Sequence, residues 1–180
     1  DIALLEDPLG RIENMRTMPS GIRVGQMRVP LGVVCVIFES RPNVTTDIAA
    51  LCVKSGNACV LRGGKESINS NIALHRVVAA SLEEVGVPRA AVTLVDKTDR
   101  ALVPVLLKMN GYIDIVIPRG GESLIQAVVR DSTIPVLKHD KGVCHSYVDR
   151  CADPAMAADI CVNAKVQRPG VCNAMETLLI

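Results

Sequence analysis

The run Val33-Val34-Cys35-Val36-Ile37-Phe38, followed by Glu39-Ser40-Arg41-Pro42-Asn43, decides the fold. Its first half is continuously apolar and rich in β-branched residues, the composition of a strand buried on both faces. The second half is a polar break. Beyond it, Val44 to Lys54 spaces its apolar residues as a helix does. Ser55-Gly56-Asn57 closes that helix, with glycine just past its end. Ala58 to Leu61 then reads as the next strand. Strands joined through a helix on short connections run parallel in one sheet.

The same alternation continues toward the C-terminus. Arg62-Gly63-Gly64-Lys65 predicts a loop, and Ser67 to Val85 a long helix. Val92 to Val95 predicts a strand, Asp99 to Met109 a helix, and Ile113 to Ile117 a further strand. Pro118-Arg119-Gly120-Gly121 follows as a loop, then a helix to Arg130, a short strand over Ile134 to Leu137, and the strand-like run Cys144 to Val148. Met156 to Val166 has helical spacing, and Met175 to Ile180 reads as a strand. The series predicts an α/β protein with a doubly wound parallel sheet. Upstream, residues 1–20 are weakly patterned and end in the turn Pro19-Ser20-Gly21. Ile22 to Val29 alternates polar and apolar residues, as a half-exposed edge strand would.

Composition narrows the function. Of 180 residues, 49% are hydrophobic and 22% charged, as in an ordinary globular chain. A net charge of +1 points to neither nucleic acid nor an acidic membrane surface. Aromatics at 2% leave no stacking platform for bases. No apolar run reaches membrane-spanning length, and nothing at the N-terminus has the pattern of a signal peptide. Seven cysteines without framework spacing favour a reducing, cytoplasmic compartment. The chain starts at Asp1 without methionine and stops inside an apolar run at Ile180, so an internal piece of a longer protein is expected.

In doubly wound sheets, ligands collect at the carboxyl ends of the strands. Arg62-Gly63-Gly64-Lys65 and Arg119-Gly120-Gly121 share one design there: a strand ends, an arginine follows, two glycines permit close approach, and a helix begins. Free N–H groups and partial positive charge at a helix N-terminus suit phosphate. Neither loop carries the dinucleotide fingerprint or the P-loop pattern, and each glycine pair is equally the composition of a tight turn. Asn43 is open between capping its helix and donating to an oxyanion.

Cys172 sits apart from the other cysteines, in Asn163-Ala-Lys-Val-Gln-Arg-Pro-Gly-Val-Cys-Asn173. A thiol on a loop near Lys165 and Arg168 has the surroundings of a thiolate nucleophile. Cys35, Cys52, Cys59 and Cys161 fall in apolar or helical runs and read as core. Cys151 begins a loop, with no partner to name. Cys144 and His145 are adjacent on a strand, so they point to opposite faces and read as structural, as does His75 within a helix. No spaced cysteine–histidine set predicts a metal site.

Four motifs together resemble the γ-glutamyl phosphate reductase family of the aldehyde dehydrogenase superfamily. They are Phe38-Glu-Ser-Arg-Pro-Asn-Val-Thr45, Leu61-Arg-Gly-Gly-Lys-Glu-Ser67, Ile117-Pro-Arg-Gly-Gly121 and the stretch around Cys172, and the likeness runs from about Pro19 onward. The resemblance implies a Rossmann-like sheet of aldehyde dehydrogenase type, with an NADP-binding domain over residues 1–142. It also implies the start of a second α/β catalytic domain over 143–180, and an oligomerisation hairpin near 20–30.

The implied reaction is NADPH-dependent reduction of L-glutamyl 5-phosphate to glutamate 5-semialdehyde in proline biosynthesis. Cys172 matches the nucleophile and Asn43 the oxyanion asparagine. Arg62, Gly63, Gly64, Lys65 and Ser67 match the segment at the adenosine ribose, with Lys65 where NAD-using relatives often carry an acid. Arg119, Gly120 and Gly121 match the junction beside the pyrophosphate. Arg41 and Arg168 are the candidates for the substrate. His139 stands nearest the register of the glutamate that activates hydrolytic water in aldehyde-oxidising relatives. The family also implies a homo-oligomer and, in some proteins, fusion to or association with glutamate 5-kinase. The rival readings are another NAD(P)-dependent aldehyde dehydrogenase and a nucleotide-binding fragment without catalysis.

Overall fold

The computed structural model describes residues 1–139 and 142–180. Asp140 and Lys141 lie outside the described residues. The chain divides into two compact units, Asp1–Lys138 and His139–Ile180.

The first unit is organised on β3 (Val33–Phe38), which continues through α1 (Asn43–Lys54), β4 (Ala58–Arg62), α2 (Ile68–Glu84) and β5 (Val92–Leu94). α3 (Leu102–Leu106), β6 (Ile115–Arg119) and α4 (Glu122–Asp131) follow. The four strands make one sheet in the order β5-β4-β3-β6, every pair parallel. From β3 the chain winds to one side through β4 and β5, then crosses back to place β6 on the other. That reversal makes the carboxyl ends of β3 and β6 the topological switch point, the crevice where ligands bind in open α/β sheets.

The apolar run of β3 is explained by its two neighbouring cores. Val34, Val36 and Phe38 pack with Val44, Ala49 and Cys52 of α1 and Leu82 of α2. The alternate residues Cys35 and Ile37 pack with Leu106, Leu107, Val116 and Val128 on the opposite side. Period-two alternation thus feeds two cores, and no polar residue is tolerated in between. Burial pushes the Cys35 thiol up to about 12. Cys59 is pushed up by its hydrogen bond to Cys52 and by burial, so both residues read as core.

Phe38, the one phenylalanine, is fully buried at the carboxyl end of β3. Phe38→Ala is expected to cost about 3–5 kcal/mol of stability through a cavity in that core. An unfolding free energy from urea titration within about 0.5 kcal/mol of the parent, the range of a neutral surface change, would contradict this packing.

The expected boundaries shift at several elements. α3 spans Leu102–Leu106 rather than Asp99 to Met109. Pro104 has no N–H to give to the turn before it, and flanking bonds such as Val103 N–H to Arg100 O and Lys108 N–H to Val105 O are of the tighter i→i+3 kind. β6 lies two residues later than read, so Pro118 and Arg119 belong to the strand and not to a loop. Pro118 still fits there, because β6 is the edge of the four-stranded sheet. The expected strand Ile134 to Leu137 reduces to an isolated parallel bridge between Val136 and Val116. Its bonds run from Val116 N–H to Pro135 O and from Leu137 N–H to Val116 O.

Residues 12–17, read as weakly patterned, form β1 (Ile12–Thr17), antiparallel to β2 (Arg23–Met27). A register irregularity between Glu13 and Arg16, with Asn14 at φ 54°, breaks the alternation that would have revealed it. Gly21, at φ 83°, turns the hairpin. Ile12, Met15, Ile22 and Met27 are exposed on it.

The second unit is a single strand–helix–strand: β7 (Cys144–Tyr147), α5 (Pro154–Val166) and β8 (Met175–Leu179), with β7 and β8 parallel. Asp153 caps α5 by accepting from the Met156 N–H at 2.8 Å, and Pro154 opens the helix with its φ already set. α5 buries none of its residues. No described helix is long and apolar enough to cross a membrane.

Candidate active site

At the switch point, Glu39 and Ser40 lie between the two Arg-Gly-Gly loops. The Glu39 N–H donates to the Arg119 carbonyl at 3.2 Å, carrying the β3–β6 pairing one residue past the strand. A side-chain carbon on Gly64 would sit 3.5 Å from the Ser40 nitrogen, and one on Gly120 would meet the Glu39 carboxylate at 2.6 Å. The first is an ordinary packing distance, whereas the second leaves no room for a side chain unless Glu39 and Leu124 shift. Ser40 adopts φ 31°, a rare conformation outside glycine that turns the chain between the loops.

The two loops then differ. In the second, Gly121 precedes α4, and its N–H donates to Glu39 Oε2 at 3.0 Å. A carboxylate already sits at the helix N-terminus that the sequence offers to phosphate, an arrangement the dipole favours. Arg119 is exposed at the end of β6.

The first loop is more deeply set. Arg62 ends β4 rather than opening the loop, is 9% exposed, and donates through Nη2 to the Thr98 carbonyl at 3.2 Å. Gly63 and Gly64 lead into a 3-10 turn over Lys65–Ser67, so α2 starts at Ile68 with Ser67 as an N-cap whose side chain makes no capping bond. Three buried polar atoms here have no hydrogen-bond partner among the described residues: Arg62 Nε, Ser67 Oγ and Asn71 Nδ2. Such groups are few in native structures and call for an explanation. Asn71 is fully buried, accepts from Thr45 Oγ1 at 3.3 Å, and would collide with any side chain on Gly63. Sequence reasoning passed over Asn71 and Glu39. The available signal for Asn71 was an amide at helical spacing with the apolar Ile68, Val78 and Leu82. Lys65 is exposed.

Asn43 is the first residue of α1, not its cap, and Pro42 precedes it. Its Nδ2 donates to Asp47 Oδ2 at 2.9 Å, one turn along the exposed face. A carboxylate can only accept, so this contact orients the NH₂ group and leaves its second N–H available. Arg41 is exposed, and its carbonyl accepts the Val44 N–H at 3.0 Å in the first turn.

In the second unit, Cys172 is exposed in a turn between α5 and β8. Val171 N–H donates to the Arg168 carbonyl at 3.3 Å, and Ala174 N–H to the Val171 carbonyl at 3.2 Å. Buried Ala174 anchors the end of that turn. Lys165 lies in the last turn of α5, and Arg168 just beyond it is exposed. Cys144 opens β7, and its thiol donates to the Cys172 carbonyl at 3.5 Å. His145 is exposed, its Nδ1 2.8 Å from the Val143 carbonyl. His75 Nε2 lies 2.9 Å from the Val92 carbonyl, a structural tie between α2 and β5. Among the described residues, no group of three histidine, cysteine or acidic side chains is placed to hold a metal ion.

No family model matches the chain. It is 59% identical over its full length to the γ-glutamyl phosphate reductase of Desulfatibacillum aliphaticivorans and spans 43% of that protein. Identity to the reductase of Nitratidesulfovibrio vulgaris is 57% over 99% of the chain, again 43% of the relative. The crystal structure of γ-glutamyl phosphate reductase from Thermotoga maritima superposes with a TM-score of 0.88 at 42% identity, covering 98% of this chain and 43% of that one. At 20% identity, an acetylating aldehyde dehydrogenase from Geobacillus thermoglucosidasius shares the fold, with a TM-score of 0.69 over 86% of the chain. By sequence the chain is a homologue of the γ-glutamyl phosphate reductases, matching about two fifths of their length, and it shares its Rossmann-like fold with an aldehyde dehydrogenase.

Proposed function

We propose that the protein containing this chain reduces L-glutamyl 5-phosphate to glutamate 5-semialdehyde, releasing phosphate, through a thioester on Cys172. Full-length similarity of the chain to reductases of that name carries the reading. On this reading, residues 1–142 supply the cofactor-binding domain and 143–180 open the catalytic domain. A lone strand–helix–strand whose helix buries nothing fits the second assignment, since so small a unit lacks a core of its own.

The Cys172 sulfur attacks the γ-carbonyl carbon, the carbon–oxygen bond to phosphate breaks, and a thioester remains. When bound, a nicotinamide cofactor supplies the hydride that reduces this thioester. Asn43 Nδ2 donates to the oxyanion, and collapse breaks the carbon–sulfur bond, freeing the aldehyde and regenerating the Cys172 thiolate. Arg168, whose carbonyl takes part in the turn that carries Cys172, and Arg41 are assigned to the anionic substrate.

The residues of the first unit fit such a cofactor. Arg62 Nε and Ser67 Oγ are buried polar atoms awaiting partners beside a two-glycine cradle, which suits a polar, hydroxyl-bearing ligand. Exposed Lys65 would meet a 2′-phosphate, favouring NADPH. The second loop contributes Arg119 and the Gly120–Gly121 backbone, with Glu39 already holding the Gly121 N–H.

The test is one assay series on the full-length protein. The reverse reaction, with glutamate 5-semialdehyde, phosphate and NADP, is compared with oxidation of free aldehydes, and NADPH with NADH in the wild type and Lys65→Ala. Phosphate-dependent turnover, with Lys65→Ala losing preference for NADPH, supports the reading. Phosphate-independent oxidation of simple aldehydes overturns it in favour of a general aldehyde dehydrogenase.

A further inference from the structure

The turn that displays Cys172 is built against the entry to β7. The Cys144 thiol donates to the main-chain carbonyl of Cys172 at 3.5 Å, and a side-chain carbon on Gly142 would lie 3.7 Å from that same carbonyl. Parallel pairing of Cys144 with Met175, three residues past Cys172, sets this alignment. Cys172 is exposed and Cys144 half-buried. The first unit's cysteines, Cys35, Cys52 and Cys59, are buried in its core. The sequence treats Cys144 as a structural thiol; the fold puts its sulfur on the nucleophile's own residue.

We propose that Cys144 is a resolving cysteine, closing a reversible disulfide with Cys172 when a peroxide oxidises the nucleophile. The proposal rests on the reading of Cys172 as the reactive thiol. Peroxide attack forms a sulfur–oxygen bond at Cys172 while the peroxide oxygen–oxygen bond breaks, giving sulfenic acid and hydroxide. The Cys144 sulfur then attacks the Cys172 sulfur. The sulfur–sulfur bond forms, the sulfur–oxygen bond breaks, and water leaves with the proton from Cys144. Two electrons pass from the thiol pair to the peroxide. A dithiol restores both cysteines by exchange. Sulfenic acid that finds no thiol is open to further oxidation to sulfinic acid, which a dithiol does not reverse. The device converts irreversible loss of the nucleophile into a recoverable state.

Full-length protein treated with hydrogen peroxide, alkylated and digested reports the outcome by mass spectrometry. The expected product is a cross-linked peptide pair joining Cys144 and Cys172, with free thiols and turnover restored by dithiothreitol. In Cys144→Ser, Cys172 is expected to accumulate as sulfinic acid and dithiothreitol recovery to be lost. Wild-type Cys172 that stays unoxidised, reaches sulfinic acid unlinked, or links to Cys151 or Cys161 overturns the proposal. The wild-type cross-link map reads independently of how well Cys144→Ser folds. Turnover by Cys172→Ala separates the two readings: an active variant removes the nucleophile assignment, whereas an inactive one with no Cys144 cross-link removes only the resolving role.

Discussion

Cys172→Ala in the full-length protein is expected to leave glutamyl 5-phosphate reduction at background. Without the thiol there is no covalent capture, so the acyl phosphate must accept hydride directly, in one step where the proposed thioester route uses two. The loss is separable from unfolding. Cys172 is exposed in a turn held by main-chain bonds from Val171 to Arg168 and from Ala174 to Val171, and neither bond involves its side chain. Exposed substitutions of this kind change stability by about 0.5 kcal/mol or less. A folded Cys172→Ala protein, judged by its melting temperature, with wild-type turnover would remove the thioester mechanism.

Asn43→Ala is expected to lower kcat by about 10²–10³-fold, the usual cost of one oxyanion donor. The structure supplies the reason this side chain can act as one. Its amide is not spent on capping α1, and Asp47 holds the NH₂ group through one of its two N–H bonds. The helix itself should tolerate the change, because alanine is the better helix former at an exposed position. Steady-state kinetics decide it: a fall confined to kcat fits a transition-state contact, a rise confined to KM fits ground-state binding, and unchanged values remove Asn43 from catalysis. Because the predicted defect is large but finite, Asn43→Ala should stay measurable where Cys172→Ala does not.

Much of the fold was legible because it rests on local pattern. Val33 to Phe38 reads as a doubly buried strand, and it is the strand that feeds two cores. Helix ends marked by Gly56 and strands marked by β-branched runs fell close to where they were read. The misread elements have two causes: Pro104 shortens α3 locally, and elsewhere tertiary context outweighed pattern. Ile134 to Leu137 has strand composition but meets the β6 edge at a single bridge, Val136 to Val116. Met15 and Asn14 break the alternation of β1 at an irregularity that only pairing with β2 makes intelligible.

By itself, the sequence determined the parallel α/β class, the two Arg-Gly-Gly loops and the singular setting of Cys172, because each is written in residues close together along the chain. Tertiary structure alone decided what those residues face. It placed Glu39 on the Gly121 N–H, across 82 positions of sequence, where a free helix terminus had been read. It left Arg62, Ser67 and Asn71 with buried atoms that have no partner among the described residues, around one glycine cradle, and it put the Cys144 thiol on the Cys172 carbonyl 28 positions away. Hydrogen-bond partners at such separations are chosen by strand register and crossover, and neither is encoded in any local window of the chain.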